Sequence, residues 1–391
     1  MQLTSDKISA YISNISTMSV STAHEYKGRL NSFRIFVENM YKITVNILID
    51  QIKQGLRNVY DILSQYGGYL KTSNNIANLT LKQRIITVKN FLEYYDVDIS
   101  PRKFKLKVKL PKVIRRKKEA LSKEDIVDIL NTCSDIRLKT YVMLLAATGM
   151  RAVEALSIRI KDLDPQSHHP RLFVRGEFTK TRSDRTIFLT KEVAHQLSSW
   201  LDYKYRSRRV CYVGNNGKAV TEYRTPIKNE TDLVFSVYQS VENPNPNNLY
   251  TELSHFFGKT LDRMGKGDRE EGNKSRRRIT LHSFRRFVKT TISDLGYQDF
   301  SEYFIGHSGS TYWTKKESEK AEIFRKIEPY LTFLNLHELE RQGADIQSKI
   351  EELEELNQSF RERDKMKDDA IAHLSDQLMG LTARMQDLES R

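Results

Sequence analysis

A long basic run divides this chain of 391 residues. The segment from Arg102 to Lys118 contains ten Lys or Arg residues and no acidic residue. So many like charges need solvation or an anionic partner, so the segment cannot lie inside a hydrophobic core. Pro101 and Pro111 favour an extended course over a helix. We therefore expect a basic linker over residues 101–119 that joins separately folded parts.

Before the linker, apolar side chains recur at helical spacing, with few Gly or Pro residues to interrupt them. Leu30, Phe33, Phe36 and Val37 are an example. This spacing places apolar residues on one face of each helix, and those faces need a shared core. Residues 1–100 are therefore predicted to form an all-α domain.

After the linker the pattern is mixed. Ser122 is a good N-cap with Asp125 in the capping position, and residues 137–147 are nearly all apolar, which predicts a buried helix that ends at Gly149. Two β-rich runs, 172–174 and 186–189, surround turn residues and predict a hairpin. The polar stretches 243–248 and 265–273 are predicted as exposed loops. The expected fold is mostly α with a small antiparallel β-sheet over residues 120–335.

The last part of the chain, residues 336–391, has apolar residues at alternating steps of three and four. Such a heptad pattern is typical of a coiled coil. Polar residues at 357, 364 and 367 interrupt it, so one intermolecular coil, two shorter blocks and a helical hairpin all remain open. In each case we interpret the tail as an assembly device.

The charge distribution indicates a polyanionic partner. The chain has 64 Lys and Arg against 50 Asp and Glu, a net charge of +14. Residues 337–391 hold 14 acidic and 8 basic side chains, or −6, which leaves +20 on residues 1–336. Such a field favours nucleic acid, and Arg115, Arg116, Lys117 and Lys118 of the linker are expected to contact DNA phosphates.

Several other classes are disfavoured. No apolar run approaches the length of a membrane span and the N-terminus lacks a signal peptide pattern, so we expect a cytoplasmic protein. Cys133 and Cys211 are the only cysteines and no CxxC pair exists. This argues against a disulfide scaffold or a cysteine-based zinc site.

Four short motifs place cations or hydroxyls where they could act on an anion. Arg151 should fall in the first turn of a new helix, with Glu154 three residues on to fix it. Taken alone, this motif favours an ordinary surface pair. Lys180 lies beside the predicted hairpin turn, followed by Arg182 and Arg185, and Arg182 is expected to contact DNA. A lysine there is weak evidence, because exposed hairpin lysines are common.

The other two motifs are Leu281–Arg286 (LHSFRR) and Ile305–Trp313 (IGHSGSTYW). In the first, helical spacing predicts His282, Arg285, Arg286 and Lys289 on one helix face, opposite an apolar one. A solvated basic face would explain Arg286 and Lys289 but not His282. The second carries His307 and Tyr312 in a turn between helices. Fixed cations can stabilise phosphoryl transfer without a metal, and a Tyr hydroxyl can act as its nucleophile.

With these motifs the sequence resembles the tyrosine recombinase or phage-type integrase family over residues 1–335, most closely its archaeal members. The order ATGMRAVEALSI, TKT, LHSFRR and IGHSGSTYW is the family's, as is the 22-residue step from Arg285 to His307. The resemblance implies a DNA-binding N-terminal domain, a catalytic domain over 120–335 and a clamp around double-stranded DNA. It also implies a tetramer on two DNA sites, a nucleoid-associated location, and no metal or nucleotide cofactor.

The resemblance assigns roles to individual residues. Arg151 and Arg285 would hold the oxygens of the scissile phosphate, and His282 and His307 would hydrogen-bond the same group. Lys180 would protonate the departing 5′-oxygen. The implied activity is a site-specific DNA recombinase, or integrase, that breaks and rejoins strands through a 3′-phosphotyrosyl intermediate. It would integrate or excise a mobile element, or resolve replicon multimers.

The nucleophile departs from the family pattern. The usual position, nine residues after the last His, is Lys316 here, whereas Tyr312 is five residues away and Tyr330 twenty-three. Tyr312 is preferred because it stays near His307, and Tyr330 is the alternative. Two other functions stay open: a type IB topoisomerase-like nicking and closing enzyme, and a DNA-binding architectural protein with a decayed site.

Overall fold

The computed structural model describes residues 6–74, 76–113, 120–213, 219–237, 245–270 and 273–334. The chain forms two compact units, Met1–Lys117 and Lys118–Arg391. The linker residues predicted to contact DNA, Arg115, Arg116, Lys117 and Lys118, lie outside the described residues. The predicted coiled coil over 336–391 lies outside them as well.

In the first unit, all regular secondary structure of the described residues is helical. Its helices are α1 Lys7–Met18, α2 Val20–Tyr41, α3 Val45–Lys53, α4 Val59–Asn74, α5 Asn78–Tyr94 and α6 Pro101–Lys107. The apolar side chains that predicted these helices face one core, since Leu30, Phe33, Phe36 and Val37 are each 0% exposed. Helical spacing was a sufficient guide here because each helix buries one apolar face.

Helix α6 corrects the prediction of an extended course from Arg102 onwards. Ser100 caps the helix by accepting the Lys103 amide, and Pro101 occupies the first turn, where its missing N–H is not needed. Phe104 and Val108 pack against the apolar core of this unit. These two residues are about one helical turn apart, so together they hold α6 against the core. The basic side chains of α6 remain at the surface.

The second unit is mostly helical with small antiparallel sheets, as predicted. Its α-helices are α7 Lys123–Thr132, α8 Ile136–Thr148, α9 Ala152–Leu156, α10 Lys191–Lys204, α11 Pro246–Arg263, α12 Leu281–Asp294, α13 Gln298–Phe304 and α14 Glu317–Ile327. Its strands are β1 Leu163–Asp164, β2 Arg171–Val174, β3 Arg185–Phe188, β4 Arg208–Val213, β5 Ala219–Arg224, β6 Arg269–Glu270 and β7 Asn273–Arg277.

Two predicted helix boundaries of this unit are confirmed. Ser122 and Asp125 form a reciprocal capping box at the start of α7. The all-apolar helix α8 is buried from Thr140 to Thr148 and ends at Gly149, whose φ of 62° is left-handed. Glycine adopts this conformation without the steric cost that a side chain would add.

The predicted hairpin is also confirmed. Strands β1, β2 and β3 form an antiparallel sheet in that order, with Leu172 opposite Ile187 in the middle of the β2–β3 pair. Both of these side chains are buried. Strands β4 and β5 form a second, two-stranded antiparallel sheet.

The two predicted loops contain more structure than expected. Asn245 caps α11 and Pro246 begins it, because an Asn N-cap followed by Pro is a good helix start. Strands β6 and β7 pair within the second stretch. Among the described helices, none combines the length and apolar character needed to cross a membrane.

Candidate active site

Arg151 lies at the junction between α8 and α9. It is the N-cap residue of α9, one position before the first turn in which we predicted it. Its Nη1 donates to Glu154 Oε1 at 2.6 Å, and its backbone N–H donates to Oε2 of the same carboxylate at 3.3 Å. Glu154 therefore fixes both the backbone and the side chain of Arg151.

This ion pair is not a surface pair, because Glu154 is only 3% exposed. Its Oε2 also accepts from Nη2 of Arg185 at 2.9 Å, and the Arg185 side chain is 0% exposed. Burial raises the pKa of Glu154, but Arg185 and Arg151 together lower it below its usual value. The buried carboxylate thus joins the Arg151 helix to strand β3.

Sequence reasoning gave Arg185 no role. It follows Lys180 and Arg182 in a basic stretch, which is typical of exposed residues. The signal available was its place in β3, where Arg185 and Ile187 alternate on the buried side. Only the partner Glu154, which lies 31 residues earlier, explains how this charge is buried.

Arg151 opens into a cleft of about 360 Å³ that also receives two other predicted residues, Lys180 and His282. The remaining lining residues are Ala152, Val153, Glu154, Phe178, Tyr250 and Leu281. Both Lys180 and His282 are exposed. Three cationic or titratable side chains from α9, the β2–β3 connection and α12 thus meet in one cleft.

The turn that presents Lys180 is braced by its neighbours. Thr179 is buried, and its Oγ1 accepts the backbone N–H of Ser183 at 3.2 Å. The Asp184 carboxylate accepts the backbone N–H of Gly176. Arg182, predicted to contact DNA, is an exposed residue of this turn with a left-handed φ of 51°.

Helix α12 carries two site residues that differ in exposure. Arg285 is 4% exposed, whereas His282 on the same helix is exposed. Arg285 Nη1 donates to the Gly149 carbonyl at 3.0 Å, and that bond draws the side chain inwards. Helical spacing does not predict this burial, because the accepting carbonyl lies 136 residues away in the sequence.

The Arg285 guanidinium is held under electrostatic strain. Burial, followed by repulsion from Arg151, lowers its pKa to about 10. Within the described part of the chain, its Nη2 is buried without a hydrogen-bond partner. An anion beside Arg151 and Arg285 would relieve both the repulsion and the unmet donor.

His307 follows α13 in a tight turn. Gly306 has a φ of 76°, and a Cβ there would lie 2.5 Å from Nη1 of the buried Arg185. The His307 ring pairs through Nδ1 with the Glu302 carboxylate, which also binds Lys289 Nζ at 2.7 Å. Sequence reasoning missed Glu302, which orients the ring and leaves Nε2 for another partner.

Tyr312 lies in the 3₁₀ turn Thr311–Trp313. Its ring packs edge-on against Phe300 at 5.3 Å between centroids, and Lys315 Nζ lies 4.9 Å from the ring centre. Trp313 donates through Nε1 to the His307 carbonyl at 3.0 Å, which ties this turn to His307. Tyr312 is not among the side chains that line the cleft.

Tyr330, the alternative nucleophile, is 50% exposed in the 3₁₀ turn Glu328–Leu331. That turn is held elsewhere in the unit: Glu328 accepts the backbone N–H of Lys191 at 2.8 Å, and the Pro329 carbonyl accepts from Lys123 at 3.2 Å. Neither contact involves a cleft residue.

The arrangement suits an anion better than a metal cation. Within the ranges that the structure covers, no group of three or more His, Cys, Asp or Glu side chains could hold a metal ion. Arg151, Lys180 and His282 converge on the cleft, and Glu154 is already engaged by two arginines. A phosphate group matches this donor set.

The sequence is similar to those of known proteins. Residues 119–311 match the model of the phage integrase family. Tyrosine recombinase XerA of Saccharolobus solfataricus is 32% identical over 127 residues, which cover 32% of this chain and 40% of XerA. Transposase A from transposon Tn554 of Staphylococcus aureus is 31% identical over 99 residues, 24% of this chain and 27% of the transposase.

Solved structures agree in fold. A lambda integrase dimer bound to a COC′ core site, in a form of residues 75–356, has a TM-score of 0.50 and 14% identity, over 81% of this chain and 99% of that one. Another structure of a lambda integrase dimer on a COC′ core site gives a TM-score of 0.51 at 12% identity, over 78% of this chain and 74% of that one.

The sequence matches cover less than half the length of these two curated relatives, 40% and 27%. They nevertheless include an archaeal tyrosine recombinase, as the resemblance of the motifs predicted. The family match and the motif order lead to one conclusion: residues 119–311 form a phage integrase family domain, similar to that of tyrosine recombinases.

Proposed function

We propose that this protein is a site-specific DNA recombinase that breaks and rejoins strands through a 3′-phosphotyrosyl intermediate. The observation that carries the proposal is the buried Arg285 guanidinium, bonded to the Gly149 carbonyl beside Arg151 and left with an unmatched donor at Nη2 among the described residues. A fixed cation of this kind needs no reorganisation when charge develops on phosphate oxygens.

In the proposed reaction, Arg151 and Arg285 bind the non-bridging oxygens of the scissile phosphate. His282 and His307 hydrogen-bond the same group and shuttle protons, so that they accept the proton of the Tyr312 hydroxyl, and Lys180 protonates the departing 5′-oxygen. The Tyr312 hydroxyl attacks phosphorus, so the P–O bond to the 5′-oxygen breaks as the phosphotyrosyl bond forms. Attack by another strand's 5′-hydroxyl reverses the step and releases Tyr312.

The contacts of the two candidate turns support Tyr312 as the nucleophile. The turn that carries Tyr312 is bonded to the His307 carbonyl, and the Tyr330 turn is bonded to Lys123 and Lys191. A nucleophile has to reach the phosphate that the catalytic cations hold. The turn next to His307 meets this need more directly.

The proposed partner is double-stranded DNA, bound with basic residues that include Arg115, Arg116, Lys117, Lys118 and Arg182. We further propose a DNA-binding role for the helical unit, a homotetramer on two sites and a cytoplasmic, nucleoid-associated location. Names of similar proteins support this proposal, since XerA is a tyrosine recombinase and the matching lambda integrase is bound to a COC′ core site.

Covalent trapping tests the proposal. The protein is mixed with supercoiled DNA from the mobile element or its host, the reaction is quenched with detergent, and the tryptic peptide that carries a nucleotide is identified. Cleavage after Lys289 and Lys315 gives a peptide that holds Tyr312 together with Tyr297 and Tyr303, so fragmentation of this peptide has to place the nucleotide. Cleavage after Lys326 and Arg341 isolates Tyr330. We expect the adduct on the first peptide.

Tyr312→Phe should abolish the adduct, and the matched Tyr330→Phe should preserve it. The reverse result would move the nucleophile to Tyr330 within the same enzyme class. DNA binding without an adduct on any DNA would contradict the enzymatic function. Strand exchange between two DNA molecules separates a recombinase from a nicking and closing enzyme.

A further inference from the structure

The second unit carries a basic β-ribbon that the proposed reaction does not use. Strands β4 and β5 lie in the described residues 206–213 and 219–228, between the end of α10 and Asn229. Arg208 pairs with Arg224 at the base of the ribbon and Val213 with Ala219 at the other end. Among the described residues, neither strand pairs with any other. A two-stranded ribbon alone is only marginally stable in water, so a partner surface would stabilise it.

The root of this ribbon is rigidly fixed. Lys204, the last residue of α10, is 2% exposed, and its Nζ donates to the Leu233 carbonyl at 2.7 Å and to Ser236 Oγ at 3.2 Å. The Tyr205 hydroxyl donates to the Asp232 carboxylate at 2.5 Å. A buried lysine and a tyrosine therefore join the outgoing and returning ends of the excursion.

The returning end is also tied to the active-site side of the unit. The Asp232 carbonyl accepts the Ile160 N–H at 3.0 Å, and the Val234 N–H donates to the Ile158 carbonyl at 2.9 Å. Ile158 and Ile160 directly follow α9, the helix that Arg151 caps. The root of the ribbon is thus connected to the segment behind Arg151.

The charge of the ribbon is strongly positive. Residues 206–228 contain six Lys or Arg residues and one acid, Glu222, which gives +5. That acid is neutralised, because Glu222 forms an ion pair with Arg224 and accepts from the Tyr212 hydroxyl at 3.4 Å. These three side chains occupy one face of the ribbon.

The opposite face is open. Arg209 lies directly across from Tyr223, and Cys211 from Thr221, so all four side chains share that face. Tyr223 is 72% exposed, and Arg209, Cys211 and Thr221 are exposed as well. Among the described side chains this face carries no carboxylate. It combines the Arg209 guanidinium with the large Tyr223 ring, which is not packed into the core.

Taken together, we propose that the β4–β5 ribbon is a second DNA-contacting arm, which lays its Arg209–Tyr223 face against the phosphate backbone of the duplex. The major groove admits a two-stranded ribbon, and Arg and Tyr side chains are common phosphate ligands. A second copy of this chain is disfavoured as the occupant, because residues 1–336 carry +20. The inference rests on DNA as the proposed substrate and extends it to a surface outside the cleft.

A photochemical cross-link tests the occupant. Tyr223→p-benzoylphenylalanine is prepared in the full chain and irradiated with labelled duplex DNA from the mobile element or its host. We expect the label to become attached to residues 206–228. Attachment to another protein copy, or to the acidic residues 337–391, would overturn the inference, and so would the absence of a DNA cross-link.

Salt dependence provides a quantitative second test. Arg209→Gln with Lys228→Gln should weaken duplex binding about tenfold and reduce the slope of log affinity against log salt by about 1 to 2. The matched control is Arg325→Gln with Lys326→Gln, which removes the same charge from exposed positions on α14. Equal losses for both pairs would indicate a general field effect and contradict a specific arm.

The two proposals can fail separately. If the ribbon cross-links to DNA and no tyrosyl adduct forms, the arm stands and the recombinase proposal fails. If the adduct forms on Tyr312 and both variant pairs bind DNA equally, the recombinase stands and the arm fails. The thermal unfolding midpoint of each variant should match that of the unmodified protein, which separates lost contacts from lost folding.

Discussion

At the scale of single residues, the site is organised by one buried carboxylate, Glu154, and two buried guanidinium groups, Arg185 and Arg285. Glu154 holds Arg151 at the cleft and Arg185 behind it. Arg285 reaches the Gly149 carbonyl from a different helix. Each buried charge has a partner distant in the sequence. Because these charges are buried, the loss of one partner costs more free energy of folding than the loss of a surface ion pair.

We predict that Arg285→Ala lowers the rate of DNA cleavage about 10²- to 10³-fold. The affinity for DNA should fall far less, because one buried guanidinium contributes little to a long backbone interface. The measurement is the single-turnover cleavage rate beside equilibrium binding of the same duplex. Arg286→Ala on the same helix is the matched control, with a much smaller loss of rate expected. Equal losses of rate and affinity in Arg285→Ala would assign Arg285 to general DNA contact.

At the scale of secondary-structure elements, two features hold the site in place. Gly149 allows α8 to end sharply, so that Arg151 begins α9 and the Gly149 carbonyl accepts from Arg285. The Lys204 anchor fixes the chain at the end of α10. Gly149 acts through its backbone and Lys204 through its buried ammonium group, and neither contributes a side chain to the cleft.

Gly149→Ala should destabilise the protein by about 1 to 3 kcal/mol. The residue has a φ of 62°, and an added Cβ would lie 3.0 Å from Val288 Cβ and 3.1 Å from Ile305 Cγ2. Gly265→Ala is the control, since Gly265 also has a left-handed φ of 69° but nothing lies within 4 Å of the added Cβ. Chemical denaturation should show the larger loss for Gly149→Ala; equal losses would mean that the contacts with Val288 and Ile305 have no effect.

Lys204 gives stability a specific pH dependence. Burial lowers its pKa to about 8, while the Asp232 charge acts in the opposite direction. The unfolded value is near 10.4, so between about pH 8 and pH 10 the unfolded chain binds more protons and stability rises with pH. The burial penalty is complete below pH 8 and is relieved above it.

Lys204→Met removes this titration. The unfolding free energy of the unmodified protein, relative to the variant, should therefore rise by about 2 to 3 kcal/mol between pH 7 and pH 10. Denaturant titrations of both proteins across this range measure the difference. Two parallel stability curves would show that Lys204 does not carry the shift.

At the scale of the whole molecule, the basic part of the chain and the segment predicted to mediate assembly are separate. Residues 1–336 carry +20 and residues 337–391 carry −6. The basic part includes every residue proposed to contact DNA. The acidic part has the heptad pattern of a coiled coil, which points to assembly as its role.

Removal of residues 337–391 should therefore lower the oligomeric state, because the predicted coiled-coil seam is lost. Covalent cleavage of a single DNA site should continue, since the cleft residues lie earlier in the chain. Light scattering gives the mass of each form, and the trapped adduct gives the cleavage. A truncated protein that associates as strongly as the full chain would require another role for the tail.

The sequence by itself determined the local features. Caps and turns are formed by residues a few positions apart, so local sequence is enough to predict them. The examples are the Ser122–Asp125 capping box, the helix end at Gly149 and the β2–β3 turn. Helical spacing likewise predicted the buried core of the first unit. The motif order was enough to indicate the family.

Only the tertiary structure decided which charges are buried. Arg185 and Arg285 look like surface residues by local pattern, and α6 was predicted to be extended because of Pro101 and Pro111. Their positions depend on Glu154, on the Gly149 carbonyl and on an apolar core that distant segments supply. A charge is buried only where a partner repays its desolvation, and that partner is set by the fold.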